Sequence, residues 1–210
     1  EVIKDLADTQ VRLGPDGTLY IINLTAGEVP AVLAVTDDGA DHLFETSVSC
    51  IGASICQHGI QNSQGLLSKC VERMKEESFA DGVLPKIHIS GCPSSCGSHQ
   101  VGAIGFVGQA KKVDGAIRPA YRLFVNGCET EQDAQLGEAK EVMLEDQIPE
   151  FLAALGRKIQ AESSTFETWY PSHAVEFATL VSVYCNLTEY NSAGHISFPF
   201  SPVSLPPAPF

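Results

Sequence analysis

The hydrophobic positions change period several times along the chain, and each change marks an element. Val2, Ile3 and Leu6 are spaced for one helical face, so residues 1–8 read as the end of a helix. Val11 to Leu13 and Thr18 to Leu24 flank the turn Gly14-Pro15-Asp16-Gly17 and predict a β-hairpin. Val29 to Val35 predicts a short helix with Pro30 in its first turn, where a missing N–H costs little, and Asp37-Asp38-Gly39 ends it. This strand–strand–helix order is that of the back part of a small α+β sandwich without its beginning.

From Ser63 to Glu76, Leu66, Leu67, Cys70, Val71 and Met74 recur at helical spacing with Lys69, Arg73 and Lys75 turned outward, an amphipathic helix. Lys86 to Ser90 alternates as a strand. Val101–Val107 and Ala120–Val125 predict two more, joined by the polar stretch Gly108–Pro119 and closed by a turn at Asn126-Gly127. Gln147 to Ile159 is a helix burying Ile148, Phe151, Leu152 and Leu155, and a further helix is expected near His173–Tyr184. The last stretch, Phe198 to Phe210, holds five prolines and three phenylalanines and reads as an extended tail.

Composition narrows the partners. With 44% hydrophobic and 19% charged residues, the 210-residue chain can build a core and is not disordered. Twenty-six acidic residues against thirteen basic ones give a net charge of −13, which argues against nucleic acid and anionic membranes. No apolar run is long enough to span a bilayer. The chain opens on Glu1-Val2-Ile3-Lys4 with neither a starting Met nor a signal peptide, so a segment of a longer, cytoplasmic protein is expected. The sequons at Asn23 and Asn186 are of a kind that chance supplies at this length.

Seven cysteines are many for such a chain and an odd number for a disulfide scaffold. Four of them form two motifs: Cys50-Ile51-Gly52-Ala53-Ser54-Ile55-Cys56, and Cys92-Pro93-Ser94-Ser95-Cys96 thirty-five residues later. Two such pairs are what a four-thiolate iron–sulfur cluster requires. Cysteines four apart share a face of a helical turn, and Pro93 predicts that the second pair sits at a helix N-terminus, where unpaired N–H groups favour thiolates. Cysteines six apart share no face, so Cys50 and Cys56 need a curled loop, which Gly52 permits. Structural zinc is a second reading, although its pairs are usually more tightly spaced, and plain buried thiols are a third.

Lys86-Ile87-His88-Ile89-Ser90-Gly91-Cys92-Pro93-Ser94-Ser95-Cys96-Gly97, followed by Gly102-Ala103-Ile104-Gly105-Phe106-Val107-Gly108, resembles the sirohaem-dependent sulfite and nitrite reductases. So do Ser49 to Cys56, Arg12 to Gly17 and Glu162 to Phe166, so the resemblance runs from about residue 5 to 170. It implies an α+β chain: a partial ferredoxin-like sandwich over 1–45, a [4Fe–4S] domain with mixed sheet and flanking helices over 46–162, and a C-terminal helix and tail over 163–210. It further implies that Cys50, Cys56, Cys92 and Cys96 hold a [4Fe–4S] cluster, with Cys96 also the axial bridge to sirohaem. The implied reaction is the six-electron reduction of sulfite or nitrite, with electrons from a donor such as ferredoxin or a flavoprotein.

The same resemblance covers only the second half of that family's enzymes. Their basic substrate-binding residues come mainly from the first half, so no catalytic residue is assigned here, and a missing N-terminal half or partner subunit is expected. Sirohaem carries eight carboxylates, which call for converging Arg and Lys that a chain at −13 supplies poorly. Ser94 stands where the family commonly has Asn; Ser offers fewer hydrogen-bonding positions, which bears on haem contact or substrate preference rather than cluster ligation. Two other functions fit the motifs: a standalone iron–sulfur electron carrier or apo scaffold, and a precorrin-3B synthase-type oxygenation.

The remaining candidates have simpler readings. Cys70 belongs to a core face, and Cys128 and Cys185 have no motif around them. His88 reads as structural and His99 as a helix-surface residue, with a cofactor-facing role as its alternative. Lys111-Lys112 reads as a solvated turn that could otherwise receive an acidic electron donor. The glycines of Gly102–Gly108 lack the dinucleotide-binding order.

Overall fold

The computed structural model of the chain describes residues 2–14, 18–37, 39–130 and 132–186. Pro15-Asp16-Gly17 of the first turn, Asp38 of the Asp37-Asp38-Gly39 stop, most of the second sequon and the proline-rich tail therefore lie outside the described residues.

The hairpin forms as expected. β1 (Gln10–Leu13) pairs antiparallel with β2 (Leu19–Ile22), and α1 (Val29–Thr36) follows with Pro30 in its first turn. Little of this unit is covered: Val32 is the one buried residue of α1, while Leu13, Leu19, Tyr20, Leu33 and Val35 are more than half exposed.

The rest of the chain is built on a mixed five-stranded sheet in the order β3-β4-β5-β6-β7. β3 (Val48–Ser49), β4 (Ile87–Ser90) and β5 (Ile104–Val113) are parallel, and β6 (Ala116–Val125) and β7 (Glu138–Leu144) continue antiparallel. Parallel neighbours need a crossover, and α2 (Ser63–Lys75) supplies it between β3 and β4. α3 (Ile148–Ala161) packs between α2 and α4 (Phe166–Asn186), the latter broken at His173 and lying against β7. Between helices and sheet Leu66, Ile87, Ile104, Leu123 and Phe151 are fully buried.

Charge reinforces this packing at one place. Arg73 of α2 donates through Nε to Glu150 of α3 at 2.6 Å and reaches Glu77 at 2.8 Å, and Arg157 of α3 pairs with the same Glu77. Glu77 is held below the usual carboxylate range by Arg157 first and Arg73 second, with partial burial opposing both.

Several expectations fail for physical reasons. Residues 2–8 form turns rather than a helix, since one turn with three apolar positions cannot meet the cost of nucleation. The stretch Gly108–Pro119 is no loop: β5 and β6 run through it to a tight turn at Asp114-Gly115, so Lys111 and Lys112 are strand residues. Pro119 is tolerated because β7 pairs with β6 only from Ala120 onward, which leaves that side of Pro119 without a ladder bond to make. β7 was not expected, because Glu, Ala and Lys are depleted in strands.

Phe151 meets Phe177 and Tyr184 edge-on, with centroids 6.0 and 5.9 Å apart, at the centre of the helical layer. Phe151→Ala is expected to cost about 3–5 kcal/mol, read as a lower urea midpoint at unchanged slope.

Candidate functional site

The two cysteine motifs leave the C-terminal ends of neighbouring parallel strands, Cys50 directly after β3 and Cys92 two residues after β4. Sequence distance is thereby cancelled, and the loops meet over a small set of backbone contacts. Cys50 N–H donates to the Ile89 carbonyl at 3.0 Å. The Gly91 carbonyl accepts from Ile60 and Gln61 N–H at 3.1 and 2.9 Å. Gly91 N–H points the other way, to Cys50 Sγ at 3.1 Å.

The fit leaves no space for side chains at the joint. A Cβ on Gly91 would stand 2.6 Å from the Gln61 carbonyl oxygen, and one on Gly97 would stand 2.1 Å from that of Ile89. Gly52 adopts φ +68°, the left-handed conformation its loop requires. The same curl brings its N–H toward the Cys50 sulfur and returns the Cys56 N–H to the Gly52 carbonyl at 2.8 Å.

These contacts act on the Cys50 thiol. Burial raises it; hydrogen bonds from the Ser63 hydroxyl and from Gly91 and Gly52 N–H lower it, and together they prevail. Ser63, at the start of α2, lies 2.8 Å from the Cys50 carbonyl and 3.2 Å from its Sγ, so its single proton can turn to the sulfur once that ionises.

Cys92 is buried, Cys50 and Cys56 half-buried, and Cys96 exposed. The expected helix after Cys92 does not form: residues 91–103 are turns and bends, and Ser95 and Ser98 have φ +60° and +51°. The Cys92–Cys96 pair is therefore presented by a turn, without a helix terminus.

The base of that turn buries a histidine that the sequence places on a helix surface. His99 is 3% exposed, its Nδ1 lies 2.9 Å from Ser90 Oγ, and its ring meets Phe124 edge-on at 4.8 Å. Burial lowers its pKa from 6.5 to about 4. A histidine between Ser98 and Gln100, in a stretch without hydrophobic period, carries no sequence mark that separates this burial from exposure. His88, read as structural, is buried in β4, a strand covered on both faces.

The other candidates fall away from the joint. Cys70 is fully buried on α2 and burial pushes its thiol far up; Cys185 is buried in α4 and is likewise raised. Cys128 lies 3.2 Å from the Thr130 hydroxyl. Lys111 turns its ammonium onto the carbonyls of Val142 and Cys185.

Among the described residues no three His, Cys, Asp or Glu side chains converge as ligands of one metal ion would. A [4Fe–4S] cube takes one thiolate at each of four corners, so its ligands stand farther apart than those of a single ion. The donor chemistry fits such a group: four free cysteines on two interlocked loops, one with its thiolate form already favoured by backbone N–H donors.

No protein-family model matches the chain. Curated relatives match it in part. A ferredoxin–nitrite reductase of Synechococcus elongatus is 28% identical over 142 residues, 63% of this chain and 27% of the relative. The chloroplastic ferredoxin–nitrite reductase of Zea mays is 34% identical over 110 residues, 51% of this chain and 19% of its own length. The sulfite reductase [NADPH] hemoprotein beta-component of Bacillus velezensis is 26% identical over 109 residues, 47% of this chain and 19% of its own. Among solved structures, the NirA protein of Mycobacterium tuberculosis shares the fold at a TM-score of 0.61 and 19% identity, over 80% of this chain and 33% of that one. The resemblance to the sulfite and nitrite reductase family read from the cysteine motifs is borne out over these segments. The chain spans about a fifth to a quarter of the length of the curated relatives it matches. No described helix is long and apolar enough to cross a membrane.

Two outcomes are expected. Ser63→Ala removes a hydrogen bond from the Cys50 thiolate, so the pKa of that thiol rises and its alkylation at neutral pH slows, as mass spectrometry of the Cys50 peptide would read. Between pH 6.5 and 4 the unfolded chain binds a proton at His99 that the folded chain does not. Its contribution therefore lowers stability as pH falls through that window, by at most about 1.4 kcal/mol per unit. Urea midpoints of wild type and His99→Asn across the window check the sign, and the slope should flatten in the variant.

Proposed function

We propose that this chain is the cluster-bearing segment of a sirohaem [4Fe–4S] reductase acting on sulfite or nitrite, and that it is inactive alone. The interlock of the two cysteine loops carries the reading: the thiol of Cys50 is held by the backbone N–H of Gly91, the residue next to Cys92. Cys50, Cys56, Cys92 and Cys96 would hold the cluster, and the exposed Cys96 would bridge to the haem iron. A cluster held there would accept and pass on single electrons. The chain's own share is to keep the thiolates ionised and to hold their loops in register.

The chain's basic groups support a need for a partner half. Arg73, Arg157, Lys69, Lys75 and Lys158 are paired with carboxylates of the chain itself, and Lys111 is engaged by carbonyls. Positive charge for a polyacidic macrocycle and an anionic substrate would then come from elsewhere. The uncovered hairpin and α1 offer a docking face: a groove of about 1050 Å³ runs between them and the body, lined by Leu19, Ile21, Val32, Leu33, Val48 and Leu67. The three-part domain division at residues 45 and 162 is part of the same proposal, and the donor would be ferredoxin or a flavoprotein. A standalone electron carrier or a precorrin-3B synthase-type enzyme would share the cysteine loops.

Purified anaerobically, the chain should bind about four iron and four acid-labile sulfide per molecule, with no sirohaem band in its visible spectrum. Zinc in place of iron would overturn the cluster, and sirohaem retained by this chain alone would overturn the need for a second half.

A further inference from the structure

The turn that carries Cys92 and Cys96 is closed by a side chain. Ser90, the last residue of β4, is fully buried, and its Oγ accepts from Gly97 N–H at 3.1 Å. One hydroxyl thus links the residue two before Cys92 to the residue directly after Cys96. The Ser90 hydroxyl proton needs an acceptor of its own, and His99 Nδ1 at 2.9 Å is the one beside it.

We infer that His99 is a positioning residue of the cysteine turn: its Nδ1 accepts the Ser90 hydroxyl proton and so aims an oxygen lone pair at Gly97 N–H, fixing the backbone that presents Cys96. The proton of the neutral ring is then on Nε2. Phe124 sets the ring plane by its edge-on contact. The His99 backbone packs directly over Gly105 of β5, where a Cβ would stand 1.9 Å from its carbonyl oxygen. A protonated ring would offer N–H at both nitrogens and lose the acceptor, and burial keeps it neutral at physiological pH.

The chain Gly97 N–H to Ser90 Oγ to His99 Nδ1 is polarised along its length, so the bonds depend on one another. Losing Nδ1 frees the hydroxyl to rotate, and the Gly97 amide loses its fixed acceptor. The relevance of this turn to a cluster rests on the function proposed above; the closure of the turn does not.

The test uses the full chain, without and with iron and sulfide. His99→Phe keeps an aromatic edge and removes the acceptor, His99→Asn places an amide oxygen near the position of Nδ1, and Ser90→Ala removes the central hydroxyl. In the metal-free chain, Gly97 amide exchange followed by NMR should quicken roughly ten-fold in H99F and in S90A. It should stay near wild type in H99N, and the S90A/H99F double variant should be no faster than either single one. In chains loaded with cluster, H99F and S90A should lose iron to a chelator faster than H99N, and the signal of the reduced cluster in electron paramagnetic resonance should broaden. Gly97 protection unchanged in folded H99F would overturn the inference, as would additive effects of the two variants. Failure of the wild-type chain to take up a cluster would sink the proposed function and leave the exchange result standing. If H99F does not fold, S90A against H99N decides the matter.

Discussion

The arrangement depends on how Gly91 is held. Its carbonyl takes two N–H groups from the first cysteine loop, while its own N–H takes the sulfur of Cys50. No side chain could occupy the position, since the Gln61 carbonyl fills the space a Cβ would need. Register between the loops is thus imposed by backbone groups, which cannot change rotamer. The parallel pairing of β3 with β4 brings those groups together, and the α2 crossover makes that pairing possible.

The parts legible in the sequence were those with a strong local period or a strong turn residue. α2 announced itself by Leu66, Cys70 and Met74 on one face, and the curl around Gly52 by the spacing of its cysteines. The rest is set by neighbours distant in the chain. β3 is two residues long and exists because β4 lies beside it. β7 has a helix-favouring composition and is a strand because β6 offers it an edge. Pro93 locally favours a helix start at Cys92, whereas Ser95, with positive φ, breaks the helical path two residues later and Ser98 breaks it again. The burial of His99 has the same origin, its surroundings being assembled from β4, β5 and β6.

Electrostatics divides the molecule in a similar way. The charged side chains that matter for packing are neutralised locally, as with Arg73, Glu77, Glu150 and Arg157 across the helical layer. The cysteine joint instead uses neutral donors: the backbone N–H groups of Gly91, Gly52 and Cys50 and a serine hydroxyl around one sulfur. Neutral donors favour a thiolate without adding a counter-charge that would compete for ligands or attract a wrong anion.

The parallel strands under the joint also set how small the site can be made. Its two halves are separated by a whole crossover helix, and their contacts close only when β3 and β4 lie side by side. The contacts between these loops join residues some forty positions apart in the chain, so closing them carries a large loop-closure cost that the sheet beneath must offset. A short peptide bearing both motifs would keep the cysteines and lose the geometry. The smallest transplantable unit is therefore the sheet with its helix, and a designer wishing to move this site into another protein would have to move the fold.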